Sequence, residues 1–170
     1  ASVLKWRDSS ARGDSICWVP LDPAVAPPSA PYASLHQSPG WGHYRTALAL
    51  LVDALNRQAG ESERVVTPDK VMLAHYPAGA RYVRHTDASA AMPRRRYTAI
   101  LYLNDAWEPA HGGELLLFPD SKSGDTTGAA RVAPLLGRLL VFRSSVEHEV
   151  ALAHAPRWAI TAWLSLPAEP

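Results

Sequence analysis

Cysteine is nearly missing from this chain. Cys17 stands alone, which excludes an internal disulfide framework. Its neighbours Ile16, Trp18 and Val19 are apolar, so a buried, unreactive thiol in a reducing intracellular setting is expected. Long apolar runs are missing too. The longest, Ala47 to Leu55, is broken by Asp53 and falls well short of the roughly 20 residues that span a bilayer. No membrane partner is expected. Charge of one sign is also scarce: the formal net charge is +1, so no broad field draws the chain to nucleic acid. No repeat, separate low-complexity tract or secretory leader is visible, and a chain opening on Ala1 is consistent with a trimmed upstream segment. A cytoplasmic location is expected, with the nucleus added if the source is eukaryotic.

What is present fits a soluble globular protein. Hydrophobic residues make up 47% and charged residues 19% of 170, enough to bury a substantial core. The expectation is one monomeric domain over residues 1–170. Residues 15–19 read as a short strand, and 20–40 as a proline-rich, mostly extended connector. Tyr44, Leu48, Leu51 and Leu55 follow helical spacing, with Gly60 as a stop. Beyond Thr67 the period changes to two. Strands are expected at 70–76, 81–85, 97–103, 114–118, 137–142, 146–152 and 157–166. A mainly β double-sheet jelly roll, with one or more supporting N-terminal helices, follows from that order. A sandwich of different strand order is the structural rival.

One constellation carries chemistry. His85 and Asp87 are two residues apart, so on a strand both face one way while Thr86 faces the other. His148, in another apolar strand, supplies a third donor, and Arg157 follows nine residues later. Two histidines and a carboxylate can hold one face of a non-haem Fe(II) and leave the opposite face open. The arginine adds a planar fork of donors for a carboxylate. A lone His-x-Asp is commonplace, and an isolated arginine at a strand start is more often a structural ion pair. Together the four residues point to a metal and an anionic cosubstrate.

Strand parity extends the pocket. Arg157, Ala159, Thr161 and Trp163 share one face of the last strand, so the Thr161 hydroxyl can join the same carboxylate. Thr98, Ile100 and Tyr102 are in phase on another strand; Tyr102 offers a phenol and Ile100 an apolar wall. Met72, Ala74 and Tyr76 form a third set, in which plain core packing is the simpler reading of Met72. Arg94, Arg95 and Arg96 form a basic run that is ordinarily a solvated face, but here could steer an acidic peptide.

The set resembles the 2-oxoglutarate- and Fe(II)-dependent dioxygenases, and within them the prolyl hydroxylases that act on hypoxia-inducible factor and their bacterial relatives. The matching text begins with Arg12-Gly13-Asp14-Ser15-Ile16-Cys17-Trp18, Tyr76-Pro77 and Tyr82-Val83-Arg84-His85-Thr86-Asp87. It continues with Tyr102-Leu103-Asn104-Asp105-Ala106-Trp107, Gly112-Gly113-Glu114-Leu115 and Phe118-Pro119. It closes with His148-Glu149-Val150 and the stretch from Arg157 to Trp163. The resemblance implies His85, Asp87 and His148 as iron ligands and Arg157 as the partner of the 2-oxoglutarate C5 carboxylate. It adds Tyr102 and Thr161 as hydrogen-bonding neighbours, and Tyr76, Met72 and Ile100 as pocket lining. Tyr82, Arg95, Arg96 and Trp163 would lie near the mouth, where a proline-containing peptide enters. Collagen-type relatives carry lysine in place of the arginine.

The implied reaction is prolyl C4 hydroxylation, consuming O2 and 2-oxoglutarate, releasing succinate and CO2, with ascorbate as reductant. Residues 88–96 and the segment before Arg12 are expected to be mobile loops over the site. Residues 88–96 and 143–147 depart from the animal enzymes, so substrate choice does not carry over. Nucleic-acid demethylases of the AlkB type share the ligand pattern but carry a second arginine where Trp163 stands. A small-molecule or free amino-acid oxygenase, and an inactive binding module on the same scaffold, are the remaining alternatives.

Overall fold

The computed structural model describes residues 5–6, 11–25, 32–119 and 128–168. Parts of the proline-rich connector, and most of the expected mobile segment before Arg12, lie outside the described residues.

Among the described residues, ten strands form two antiparallel sheets. In chain order they are β1 (Lys5–Trp6), β2 (Ser15–Pro20), β3 (Lys70–Tyr76), β4 (Tyr82–His85) and β5 (Arg95–Tyr102). They continue with β6 (Leu115–Phe118), β7 (Ala130–Val132), β8 (Leu139–Arg143), β9 (Glu147–Val150) and β10 (Arg157–Ser165). The larger sheet has the order β1-β2-β3-β10-β5-β8 and the smaller β4-β9-β6-β7. The protein is a mainly β jelly roll with helices on the N-terminal side, as the alternation of the sequence implies.

Helix α2 (Pro39–Gln58) covers the outer face of the larger sheet. It begins earlier than the 44–55 spacing suggests. Ser38 accepts a hydrogen bond from the Trp41 amide, and Pro39 occupies the first turn, where a missing N–H costs nothing. A preceding short helix, α1 (Ala33–Gln37), replaces part of the expected extended connector; its proline-free sequence, Ala33-Ser34-Leu35-His36-Gln37, permits a turn of helix. Trp41, Tyr44, Leu48 and Val52 of α2 pack on Val19, Val71, Ala99, Ile160, Ala162 and Leu164. Strand β10 is therefore buried on both faces, because Ile160, Ala162 and Leu164 meet the helix while Ala159 faces between the sheets.

The inner core joins the sheets. Ile16, Met72, Ala74, Tyr76, Ile100, Tyr102 and Ala159 from the larger sheet meet Leu115 and Val150 from the smaller. Cys17 is buried in the helix-side core, and that burial raises its thiol pKa, in keeping with an inert role. Two strands escape the sequence pattern: β1 and β7, of two and three residues, are too short for period two to register. The loop expected over 88–96 is shorter, because Arg95 and Arg96 already belong to β5.

Candidate metal and cosubstrate site

Register brings the two histidines together. His85 ends β4 and sits directly opposite His148 on β9, so both side chains leave the same face of the smaller sheet. Their rings lie 4.2 Å apart. Each Nδ1 lies against a carbonyl two residues back, Val83 O at 2.8 Å and Val146 O at 3.0 Å. With Nδ1–H donated there, Nε2 is left as a free acceptor pointing into the cleft.

Asp87 is not on a strand. It occupies the bend after β4, where its amide donates to Ser144 O at 3.0 Å. The parity expected of a continuous strand is thus supplied by a turn. Asp87 Oδ1 is 3.9 Å from His85 Nε2, and Oδ2 is 3.5 Å from His148 Nε2. One donor atom from each of the three residues lies within 4.8 Å of the others. Burial, reinforced by the neighbouring His148, pushes the His85 pKa down to about 4, so its imidazole is neutral near pH 7. Neutral imidazoles and a carboxylate are the donor set that a divalent first-row ion takes.

Arg157 opens β10 opposite Tyr76 and is only 3% exposed. Its Nε donates to Gly113 O at 2.8 Å, and its guanidinium lies 4.9 and 5.1 Å from the ring centres of Tyr76 and Tyr102. No acidic side chain among the described residues lies within 4.0 Å of it. A buried cation without an anion is costly, and this one lines the same cleft as the three donors. The Tyr102 hydroxyl is fully buried and makes no hydrogen bond within the protein. Burial raises the pKa of Tyr102, against the opposing pull of Arg157, so the phenol keeps its proton and stays a donor. Thr161 points into the same cleft. A buried guanidinium without an acidic partner, a buried phenol beside it and a threonine hydroxyl together fit an anionic carboxylate.

Met72, Tyr76, Ile100, Leu115 and Ala159 are among the walls of the cleft. At its mouth the Tyr82 ring stacks on His85 at 3.8 Å, and Arg12 lies 4.4 Å over Tyr82. Arg95 lies 4.1 Å over the Trp163 ring and donates to Asp87 O at 3.4 Å. Arg96 does not join them; it turns to Glu63 at 3.7 Å and to Pro93 O. Alternation along β5 separates the two, since neighbouring strand residues face opposite ways. Arg94 donates to Leu166 O, so each arginine of the basic run has an internal partner.

Several contributing residues escape sequence reasoning. Asp14, fully buried, pairs with Arg12 beneath Tyr82. Thr98 donates to Asp87 Oδ2 at 2.7 Å; its phase with Ile100 and Tyr102 was the available signal. Gly113 has φ +72°, and a Cβ there would stand 3.0 Å from Arg157 Cδ, so the glycine makes room for the arginine stem.

The chain is similar to known proteins in sequence and in fold. Residues 71–165 match the 2OG-Fe(II) oxygenase superfamily. The rat protein Egl nine homolog 1 is 32% identical over 169 residues, covering 95% of this chain and 44% of the relative. The chain thus spans less than half the length of the curated relatives it matches. A Pseudomonas putida prolyl-4-hydroxylase is 32% identical with a TM-score of 0.72, covering 97% of this chain and 78% of its own. A Trichoplax adhaerens prolyl hydroxylase, solved with a hypoxia inducible factor oxygen degradation domain peptide, is 27% identical. Its TM-score is 0.73, and the match covers 96% of this chain and 70% of that one. A match of this extent, over a jelly roll whose cleft gathers two histidines, an aspartate and an uncompensated arginine, makes the chain a member of the 2OG-Fe(II) oxygenase superfamily.

Proposed function

We propose that residues 1–170 form a single catalytic domain that hydroxylates C4 of a prolyl residue in a protein or peptide, using Fe(II), 2-oxoglutarate and O2. The carrying observation is Arg157, buried without an acidic partner and facing the same cleft as His85, Asp87 and His148. The names of the Pseudomonas and Trichoplax relatives support the prolyl half of the reading.

His85, Asp87 and His148 hold the iron, and the two carbonyls behind the histidines fix the tautomer that binding needs. Arg157, with Tyr102 and Thr161, grips the far carboxylate of 2-oxoglutarate, which supplies the buried cation with its anion. When bound, iron and 2-oxoglutarate supply the oxidising chemistry, with succinate and CO2 as co-products and ascorbate keeping the metal reduced. Met72, Tyr76 and Ile100 line the inner cleft and exclude water. Tyr82, Trp163 and Arg95 border the mouth and receive the proline-bearing segment, while Arg96 plays no part there. No described helix is long and apolar enough to cross a membrane. We read the domain as a cytoplasmic monomer, also nuclear in a eukaryotic source, that does not act on nucleic acid.

The test is mass spectrometry of proline-containing peptides incubated with the protein, iron, ascorbate and 2-oxoglutarate. A peptide gaining one oxygen at proline is expected. Consumption of 2-oxoglutarate stimulated by a free amino acid and by no peptide would refute the protein-substrate reading.

A further inference from the structure

Asp87 is the donor least held by secondary structure, yet it is anchored most elaborately. It lies beyond the end of β4, in a bend between the two sheets. Ser144, just past β8, accepts the amides of both Asp87 and Ala88 at 3.0 and 2.9 Å through its carbonyl. Thr98, on β5, donates its hydroxyl to Asp87 Oδ2 at 2.7 Å. The Thr98 and Ser144 hydroxyl oxygens are 3.0 Å apart, and both residues are fully buried.

Proton counting orders this chain. A metal-holding carboxylate only accepts, so the single Thr98 hydroxyl proton is committed to Oδ2. The Thr98–Ser144 contact must then use the Ser144 proton. The direction runs Ser144 to Thr98 to Asp87, and each link polarises the next. Resting on the reading of Asp87 as an iron ligand, we propose that Thr98 and Ser144 are positioning residues that fix the Asp87 carboxylate for the metal. Thr98 holds Oδ2 and the backbone clamp holds the main chain, so neither the torsion nor the position of the carboxylate is left to be ordered on binding. Thr98 itself is held by its place in β5, opposite Phe142 of β8 and Trp163 of β10. The larger sheet thereby sets the geometry of a donor that belongs to the smaller one.

The probe is Mn(II), titrated by the electron paramagnetic resonance of the free ion, so that no turnover is needed. Thr98→Val keeps the shape and removes the donor; the Mn(II) Kd should rise about 10- to 100-fold, as for other residues that orient metal ligands. Thr98→Ser should restore most of the affinity. Ser144→Ala leaves the backbone clamp intact and should cost less than Thr98→Val. Because the Ser144 hydroxyl acts through Thr98, the double variant should bind no worse than Thr98→Val alone. The unfolding temperature of each variant without metal is its own reference, and the rise from it on adding Mn(II) should shrink in Thr98→Val. Wild-type Mn(II) affinity in Thr98→Val, no rescue by serine, or additive losses in the double variant would each overturn the proposal. Asp87→Ala separates the two levels. If it abolishes binding while Thr98→Val does not weaken it, only the positioning role is wrong; if Asp87→Ala binds as wild type, the ligand reading itself fails.

Discussion

Replacing Arg157 with methionine should move stability and ligand binding in opposite directions. Arg157 is 3% exposed, with one carbonyl acceptor and two tyrosine rings for company. Removing an ion of this size from water costs several kcal/mol even after relaxation. Against that stand a charge-assisted hydrogen bond of about 1.5–3 kcal/mol and ring contacts of about 0.5–2 kcal/mol each. Methionine keeps much of the packing on Tyr76 and Tyr102, adds apolar burial, and leaves only Gly113 O short of a donor. Replacing a buried ion pair by apolar side chains is often neutral or stabilising by about 1–4 kcal/mol, and for this cation without an anion a net gain in the lower half of that range is expected. For a chain of this length each kcal/mol raises Tm by about 2–4 °C. The Mn(II)-loaded wild type should in addition be stabilised by 2-oxoglutarate, by about 2.7 kcal/mol at a concentration near 100 times Kd. Arg157→Met should lose that response, because removing the partner of a buried charge costs about 3–5 kcal/mol, more than 100-fold in Kd. Thermal unfolding with and without 2-oxoglutarate reads both effects. A ligand-free variant less stable than wild type, or one still stabilised by 2-oxoglutarate, would refute the claim that this cation awaits a carboxylate.

Gly113→Ala should weaken 2-oxoglutarate binding in isothermal titration by about tenfold, through a displacement of Arg157 worth roughly 1–2 kcal/mol, because the new Cβ meets Arg157 Cδ at 3.0 Å with φ at +72°. Arg95→Ala should raise the KM for the prolyl peptide substrate, whereas Arg96→Ala, whose partners are Glu63 and Pro93 O, should leave turnover unchanged and stability within about 0.5 kcal/mol. Leu48→Ala, under the larger sheet, should cost about 2–5 kcal/mol in chemical denaturation while Mn(II) Kd in the folded protein stays the same.

Much of this site was legible because strands write their faces in period two. Arg157, Ala159, Thr161 and Trp163 all line the cleft, and Ile160, Ala162 and Leu164 all meet the helix. Parity could also pair His85 with Asp87, but for an imperfect reason: the strand stops at His85 and a bend supplies the turn of the chain. What stayed hidden depends on contacts far apart in sequence. The register of His85 on His148 and the Ser144 carbonyl beneath Asp87 arise only when the sheets close. Helix α1 was hidden differently, inside a stretch whose prolines suggest extension although none falls within its five residues.

Strand β10 shows why the cleft can hold an uncompensated charge at all. Its outward residues are fixed by Trp41, Tyr44, Leu48 and Val52 of α2, and its edges by β3 and β5. Burial of such side chains is worth about 1.5–3 kcal/mol each, so Ile160 and Leu164 on one face of the strand contribute about as much as a single unpaired guanidinium costs on the other. Arg157 and Thr161 are therefore held at the spacing of a rigid sheet rather than of a loop, before any ligand arrives. The metal-side donors use the opposite strategy. His148 is rigid, but Asp87 sits in a bend and borrows its rigidity from Thr98 and Ser144. Variants that loosen β10 should weaken 2-oxoglutarate binding first, and variants that loosen the Asp87 bend should weaken metal binding first. A cleft whose two halves failed together under either class of substitution would mean that its geometry is set by the closing of the sheets and not by these local supports.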